Sequence, residues 1–162
     1  MPKKIKLKRG EGYYLKILFQ ETKIKDIMTP DPVYIKASDR FSLVPEKFAK
    51  HNIRHLPVVD EKKRLIGLIT QRDLFRIHPP RLSEEGEWFY DQGSMDNIII
   101  SHVMVREPCC MHANEAIGGA LETFAQKKYG CIPIVDQDGV LCGILTQNDL
   151  LQVAAQIYQE GN

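Results

Sequence analysis

Two stretches of the sequence place a hydroxyl and a carboxylate three residues apart: Gly67-Leu-Ile-Thr70-Gln-Arg-Asp73 and Gly143-Ile-Leu-Thr146-Gln-Asn-Asp149. Each follows a β-branched apolar run and opens a segment of helical pattern. Thr-x-x-Asp is a helix capping box, in which the hydroxyl accepts an amide N–H and the acid reaches back to the cap. The same pair has a second use. A carboxylate at a helix N-terminus, just past a buried strand, forms a cleft lip that can accept both hydroxyls of a ribose, and the helix end favours an anion. Spacing alone leaves both readings open, and one threonine can serve both.

Other reactive side chains offer less. Cys109-Cys110-Met111-His112 supplies thiols, a thioether and an imidazole, all of them metal ligands. In an extended strand, however, only alternate side chains converge. There is no C-x-x-C spacing, and no metal site is expected. The histidines (His51, His55, His78, His102 and His112) have no evident partner for a nucleophile–base pair, and no Gly-rich phosphate loop occurs. The chain reads as a non-enzyme without a cofactor.

The elements that must position Thr70, Asp73, Thr146 and Asp149 come from an internal repeat. Shifted by 76 positions, Ile24–Phe75 falls on Ile100–Leu151 without a gap, and about sixteen of the fifty-two pairs are identical. Each copy reads as a short extended piece (Val33–Ile35, Cys109–Met111) and then a helix opened by Ser38 or Asn114. Two apolar strands follow, Leu56–Val59 and Leu65–Ile69 in the first copy, and then a second helix from Thr70 or Thr146. Asp138-Gly139 marks the hairpin between the strands of the second copy. Pro45 falls well inside the expected first helix and predicts a distortion there. The cysteines align with Val33, Tyr34, His55 and Ile66, so three of the four take packing positions. The fold class is α/β (α+β): two pseudo-symmetric βαββα units sharing a core, since about fifty-five residues bury little alone.

Two copies of a strand ending Pro-[VI]-Val-Asp, each followed by Gly-h-[IL]-Thr-x-x-Asp, resemble a tandem pair of cystathionine-β-synthase (CBS) domains, a Bateman module. The resemblance covers about residues 22–155. It implies a non-catalytic regulatory module that binds an adenosyl ligand (AMP, ADP, ATP or S-adenosylmethionine) in composite clefts between the copies. Carried over residue by residue, one cleft joins Ile144, Thr146 and Asp149 to Asp31, Val33, Ile53, Arg54 and His55. The other joins Leu68, Thr70 and Asp73 to Cys109, His112, Tyr129 and Gly130. Arg54 and His55 stand where the family often places phosphate-contacting basic residues, whereas Gly130 and Cys131 are their counterparts. A nucleotide is therefore expected to fill the Asp149 cleft first.

The division expected is a basic lead-in (1–21), a first repeat (22–77), a linker (78–99) and a second repeat (100–162). With 22 basic against 21 acidic residues the net charge is +1, which gives no global pull toward nucleic acid or membrane. No apolar run approaches the ~20 residues of a membrane span, so a cytoplasmic protein is expected. Lys3, Lys4, Lys6, Lys8 and Arg9 read as a solvated terminus, with a docking arm as the alternative. Trp88-Phe89-Tyr90 in the linker are expected to pack back on the pair; the alternative is a contact with a second copy or a partner. Leu74, Phe75, Leu150, Leu151 and Val153 predict a homodimer of pairs through apolar helix faces, with an effector protein as a further partner. Two other functions stay open: a ligand-free interaction scaffold, in which the Thr-x-x-Asp pairs are only caps, and nucleotide hydrolysis.

Overall fold

The computed structural model describes residues 10–160. In chain order, α1 (Glu11–Glu21) precedes the first repeat, which opens with a single 3₁₀ turn (Ile24–Asp26) and β1 (Thr29–Pro30). The first repeat continues with β2 (Ile35–Lys36), α2 (Leu43–His51), β3 (His55–Val59), β4 (Leu65–Thr70) and α3 (Gln71–Ile77). The linker forms β5 (Arg81–Leu82), β6 (Trp88–Phe89) and α4 (Gln92–Met95). The second repeat has α5 (Ile100–Val103), β7 (Val105–Arg106), β8 (Met111–His112), α6 (Ile117–Lys127), β9 (Cys131–Val135), β10 (Leu141–Thr146) and α7 (Gln147–Glu160).

Apolar spacing explains the helices that cover the sheets. α2 buries Val44 and Phe48, four residues apart, and α6 buries Ile117, Ala120 and Phe124 along one stripe. Both end on a left-handed residue, Asn52 at φ 50° and its repeat counterpart Lys128 at φ 52°. Neither helix starts at the expected cap. Asp39 and Glu115 instead accept the N–H groups of Lys36 and His112, at 2.9 and 2.6 Å, closing a turn before the helix. Ser38 spends its hydroxyl on Glu61. Because α2 opens at Leu43, Pro45 lies in its first turn, where its missing N–H has no intrahelical acceptor to lose. The expected distortion is absent for that reason.

Each repeat's sheet is completed by the other half of the chain. The first sheet runs β2-β3-β4-β7, and the second runs β1-β10-β9-β8. β7 therefore leaves the second repeat to pair with Gly67 and Leu68, and β1 leaves the first to pair with Gly143 and Ile144. The cores follow the same exchange. Phe19, Ile24, Ile27 and Met28 pack with Ile117, Phe124 and Ile132, while Met95, Ile100 and Met104 pack with Phe41, Leu56 and Ile69. Ile24 and Ile100 are equivalent residues, each wholly buried and each worth about 1.5–3 kcal/mol to the opposite core. At the pseudo-twofold axis the hairpin turns hold each other: Leu65 N–H donates to Gly139 O and Leu141 N–H to Lys63 O, both at 3.0 Å.

The exchange needs two glycines. A Cβ on Gly67 would collide with the Met104 thioether and stand 3.1 Å from the Val105 carbonyl; one on Gly143 would collide with the Met28 thioether. Gly67→Ala and Gly143→Ala are therefore each expected to destabilise by about 1–3 kcal/mol through overpacking. Urea unfolding midpoints check this, and an unchanged midpoint in either variant would show that the strands adapt freely.

Candidate functional site

Thr70 and Thr146 end the inner strands β4 and β10, so the sheets fix both. Thr70 keeps extended backbone as the N-cap of α3. Its N–H and hydroxyl both donate to Asp73 Oδ2, at 3.0 and 2.6 Å, and its Oγ1 accepts the Asp73 amide at 3.2 Å. Thr146 repeats the arrangement, with 2.6 and 2.7 Å to Asp149 Oδ2 and 3.4 Å for the returning amide. The capping box is thus formed twice, and each engages only one carboxylate oxygen. The second oxygens differ. Asp73 Oδ1 accepts from Arg76 Nη2 at 3.1 Å. Asp149 Oδ1 has no hydrogen bond among the described residues, because Gln152 stands where the first repeat has Arg76.

Of the residues expected around the Asp149 lip, Ile144 shares β10 with Thr146. Ile144 is paired with Thr29 of the exchanged strand, and the Asp31 amide donates to the Cys142 carbonyl. The Asp31 carboxylate, on a left-handed residue at φ 43°, turns to Lys63 at 3.3 Å. That is the hairpin end of β10, about 13 Å along the strand from Thr146. Val33 and Ile53 pack on the first repeat's core. Ile53 and Arg54 line a groove of about 290 Å³ with Asn52, Gln71, Leu74 and Tyr90, and Asp149 is not part of it.

His55 is the register partner of Thr70, and its ring lies against Gly130, where a Cβ would strike it. It therefore sits on the seam between the repeats and touches a residue expected in the other cleft. Burial there, and secondarily the neighbouring Arg54 charge, lower the imidazole below its ordinary pKa.

Around the Asp73 lip, Leu68 pairs with Val105, and the chain from Arg106 to Met111 crosses from one sheet to the other. Cys109 lies on that crossing and is exposed, as is Tyr129, whose carbonyl accepts from Gln147. His112 does not come to this lip. Its Nδ1 pairs with the Val135 carbonyl at 3.0 Å, at the end of β9 opposite Gly130.

The cysteines separate into two kinds. Cys131 is buried and its thiol is pushed up to about 12, while Cys142 is half-buried. Cys109 and Cys110 are exposed, which corrects the expectation that three of the four are packing residues. No group of three or more potential metal ligands stands together among the described residues. Leu74 is likewise corrected: it is a core residue and not part of an apolar face. The Arg76–Asp73 contact was missed, although an acid and a base three apart on a helix is the signal for it.

Duplicated sheets with exchanged edge strands, each ending in Thr-x-x-Asp, match a known family model described as CBS domain over residues 24–79 and again over 100–156. The chain belongs to the CBS-domain family. Among sequence relatives of this CBS pair, inosine-5′-monophosphate dehydrogenase of Aquifex aeolicus is 30% identical over 125 residues, covering 77% of this chain and 23% of that protein. The chain spans about a quarter of the length of this relative and of two other curated relatives it matches. Among solved structures, a CBS domain pair in complex with 5′-methylthioadenosine and S-adenosyl-L-methionine superposes with TM-score 0.66 at 24% identity, covering 82% of this chain and 98% of that one. CBSX2 in complex with AMP superposes with TM-score 0.68 at 24% identity, covering 84% and 98%. No described helix is long and apolar enough to cross a membrane.

The lowered His55 gives a testable sign. A histidine that resists protonation when folded leaves stability untouched above about pH 7.5 and removes it as pH falls through the unfolded value near 6.5. His55→Gln is expected to reduce the loss of stability between about pH 7 and 5.5, with at most about 1.4 kcal/mol per pH unit at stake. Urea titrations across that range check it, and identical slopes in parent and variant would place the ring in water.

Proposed function

We propose that this CBS pair is a non-catalytic, cytoplasmic regulatory module that binds an adenosyl ligand in the clefts between its repeats, the Asp149 cleft first. The observation that carries the reading is the division of labour within the Asp149 carboxylate. Oδ2 holds the helix cap, and Oδ1 remains free to accept from a ribose hydroxyl at the N-terminus of α7. The adenosyl compounds held by the two solved CBS pairs support the ligand class. In the first repeat a ribose would have to displace Arg76 from Asp73. Arg76 is largely exposed and can swing away at small cost, so the Asp73 cleft is the poorer site and not a closed one. A ligand touching both repeats would favour the conformation in which they meet, and so bias whatever surface an effector reads.

The second reading, a ligand-free scaffold, is favoured by one observation: both acids already serve as helix caps. Asp149→Ala separates the two. If Asp149 holds a ribose, calorimetric titration with AMP, ATP or S-adenosylmethionine should show at least about a tenfold loss of affinity, whereas Asp73→Ala leaves the tighter event intact. Lost stability of about 1 kcal/mol with unchanged affinity would assign Asp149 to the cap alone.

The helix that follows the Asp149 lip also leaves apolar side chains in water: Leu151 is 67% and Tyr158 76% exposed. We propose that this face of α7 pairs two copies. Sedimentation at micromolar protein should give about twice the 18.6 kDa of one chain; a monomer mass would remove the proposal.

A further inference from the structure

Two sequence features were assigned no cleft role: the basic run from Lys3 to Arg9, which lies outside the described residues, and the aromatic linker, to which the structure gives a definite shape. β5 and β6 form a hairpin of two strands, with Arg81 opposite Phe89 and Leu82 opposite Trp88, and no third strand joins them among the described residues. Its aromatic surface is not packed away as expected. Trp88 is 70% exposed and Phe89 44%, while Tyr90 alone of the three packs against the first core. Phe75, Pro80, Trp88 and Tyr90 line an apolar groove of about 470 Å³. A two-stranded hairpin is marginal unless a further strand or another element covers it, and its open edge is a template for an added strand.

Charge narrows what can fill that place. The turn carries Glu84, Glu85 and Glu87. The nearby cations are occupied, Arg81 by Asp91 at 3.8 Å and Arg76 by Asp73 at 3.1 Å. No ion pair among the described residues engages the three glutamates. An apolar groove, an open strand edge and an acidic turn together suit an extended segment that alternates apolar with basic residues. The chain contains one: Lys4-Ile5-Lys6-Leu7-Lys8, flanked by Lys3 and Arg9, with no acid among them. Its period of two puts Ile5 and Leu7 on one face and the lysines on the other. Nine residues ahead of Gly10 reach about 30 Å when extended.

We propose that residues 3–9 of this chain dock on the β5–β6 hairpin as an added strand. Ile5 and Leu7 meet the aromatic groove, and the lysines meet Glu84, Glu85 and Glu87. Main-chain pairing supplies the affinity and the alternating side chains set the register, as in other strand additions. The segment leads directly into α1, which packs on α6 of the second repeat, while the linker packs on the first repeat's core. Docking would therefore strap the two halves together outside the ligand clefts.

Trp88 is the only tryptophan, so acrylamide quenching of the full chain reports on the hairpin alone. Four proteins decide the matter: the parent, Lys4→Glu/Lys6→Glu/Lys8→Glu, Glu84→Lys/Glu85→Lys/Glu87→Lys, and all six substitutions together. Each triple reversal removes three exposed ion pairs, which should weaken docking by about three- to a hundredfold and raise the quenching constant. The sixfold variant should restore the parent's protection, because the pairs re-form with reversed signs. Molar salt should move the parent toward the triple variants. Glu84, Glu85 and Glu87 are exposed, and unfolding midpoints confirm that each protein is folded. Equal quenching in all four proteins would overturn the proposal, as would a sixfold variant quenched like the triples. So would binding of the basic segment to anionic phospholipid vesicles with Trp88 quenching indifferent to the lysine reversals.

Discussion

Strand exchange is the contact on which the rest of the molecule rests. β4 and β10, the strands that carry the Thr-x-x-Asp lips, are flanked on one side by a neighbour from their own repeat and on the other by a two-residue strand from the opposite half. Remove the exchange and each sheet loses an edge, each core loses a fully buried isoleucine, and the lip-bearing strand becomes the sheet edge. A unit of that size has little stability to spare. The exchange also explains which residues the two copies still share. Gly67 and Gly143 admit Met104 and Met28, and these four keep their identities because each methionine needs a partner without a Cβ. The five non-glycine residues in left-handed conformation obey the same duplication: Asp31 pairs with Glu107 and Asn52 with Lys128, while Lys63 has Gly139 as its counterpart.

A lip built this way is preorganised before any ligand arrives. The threonine is held by strand pairing, the acid by the threonine, and the helix N-terminus by both, so ordering costs little at the moment of binding. The cap does not compete with recognition, because the carboxylate has two oxygens and the cap engages one. The cap is therefore compatible with a cleft role in the second repeat, where one carboxylate oxygen has no hydrogen bond among the described residues, while in the first the second oxygen accepts from Arg76.

The parts legible in sequence are those governed by local pattern. The gapless repeat places β3, β4 and α3 and their counterparts, the Asp138-Gly139 turn and both capping boxes, because periodicity and turn chemistry act over a few residues. What escaped is non-local. Two-residue strands such as Thr29–Pro30 carry no period of their own and exist only because the other repeat offers an edge. Pro45 misled because Asp39 and Glu115 close turns ahead of the helices, shifting their starts. The cysteine alignment held at Cys142, the counterpart of Ile66, and failed on the Cys109-Cys110 crossing, where the chain leaves one sheet for the other and is open to water; Cys131, aligned with His55 and so outside the packing positions, is the buried one. Ile144 and Leu68 pair with the exchanged strands, but the side chains of His112 and Asp31 follow their nearest polar partners, which no alignment of copies discloses.

Divergence between the copies has also moved the seat of discrimination. The expected source of preference for a nucleotide was a cationic pair, Arg54 and His55. The His55 ring is pressed against Gly130, and a histidine that resists protonation is neutral near pH 7, so it brings no charge to a phosphate. Arg54 faces a groove with Tyr90 and Gln71. Neither residue has a hydrogen bond or ion pair with Asp149 among the described residues. What remains unequal between the clefts lies at the other end of an adenosyl ligand, where one aspartate oxygen is free and its counterpart is held by an arginine. A hydrogen bond from a hydroxyl to a charged oxygen contributes about 1.5–3 kcal/mol, comparable to the phosphate contact it replaces in the argument. Discrimination at the Asp149 cleft should therefore turn on the ribose, with nucleoside and nucleotide separated less than two ligands that differ in their hydroxyls.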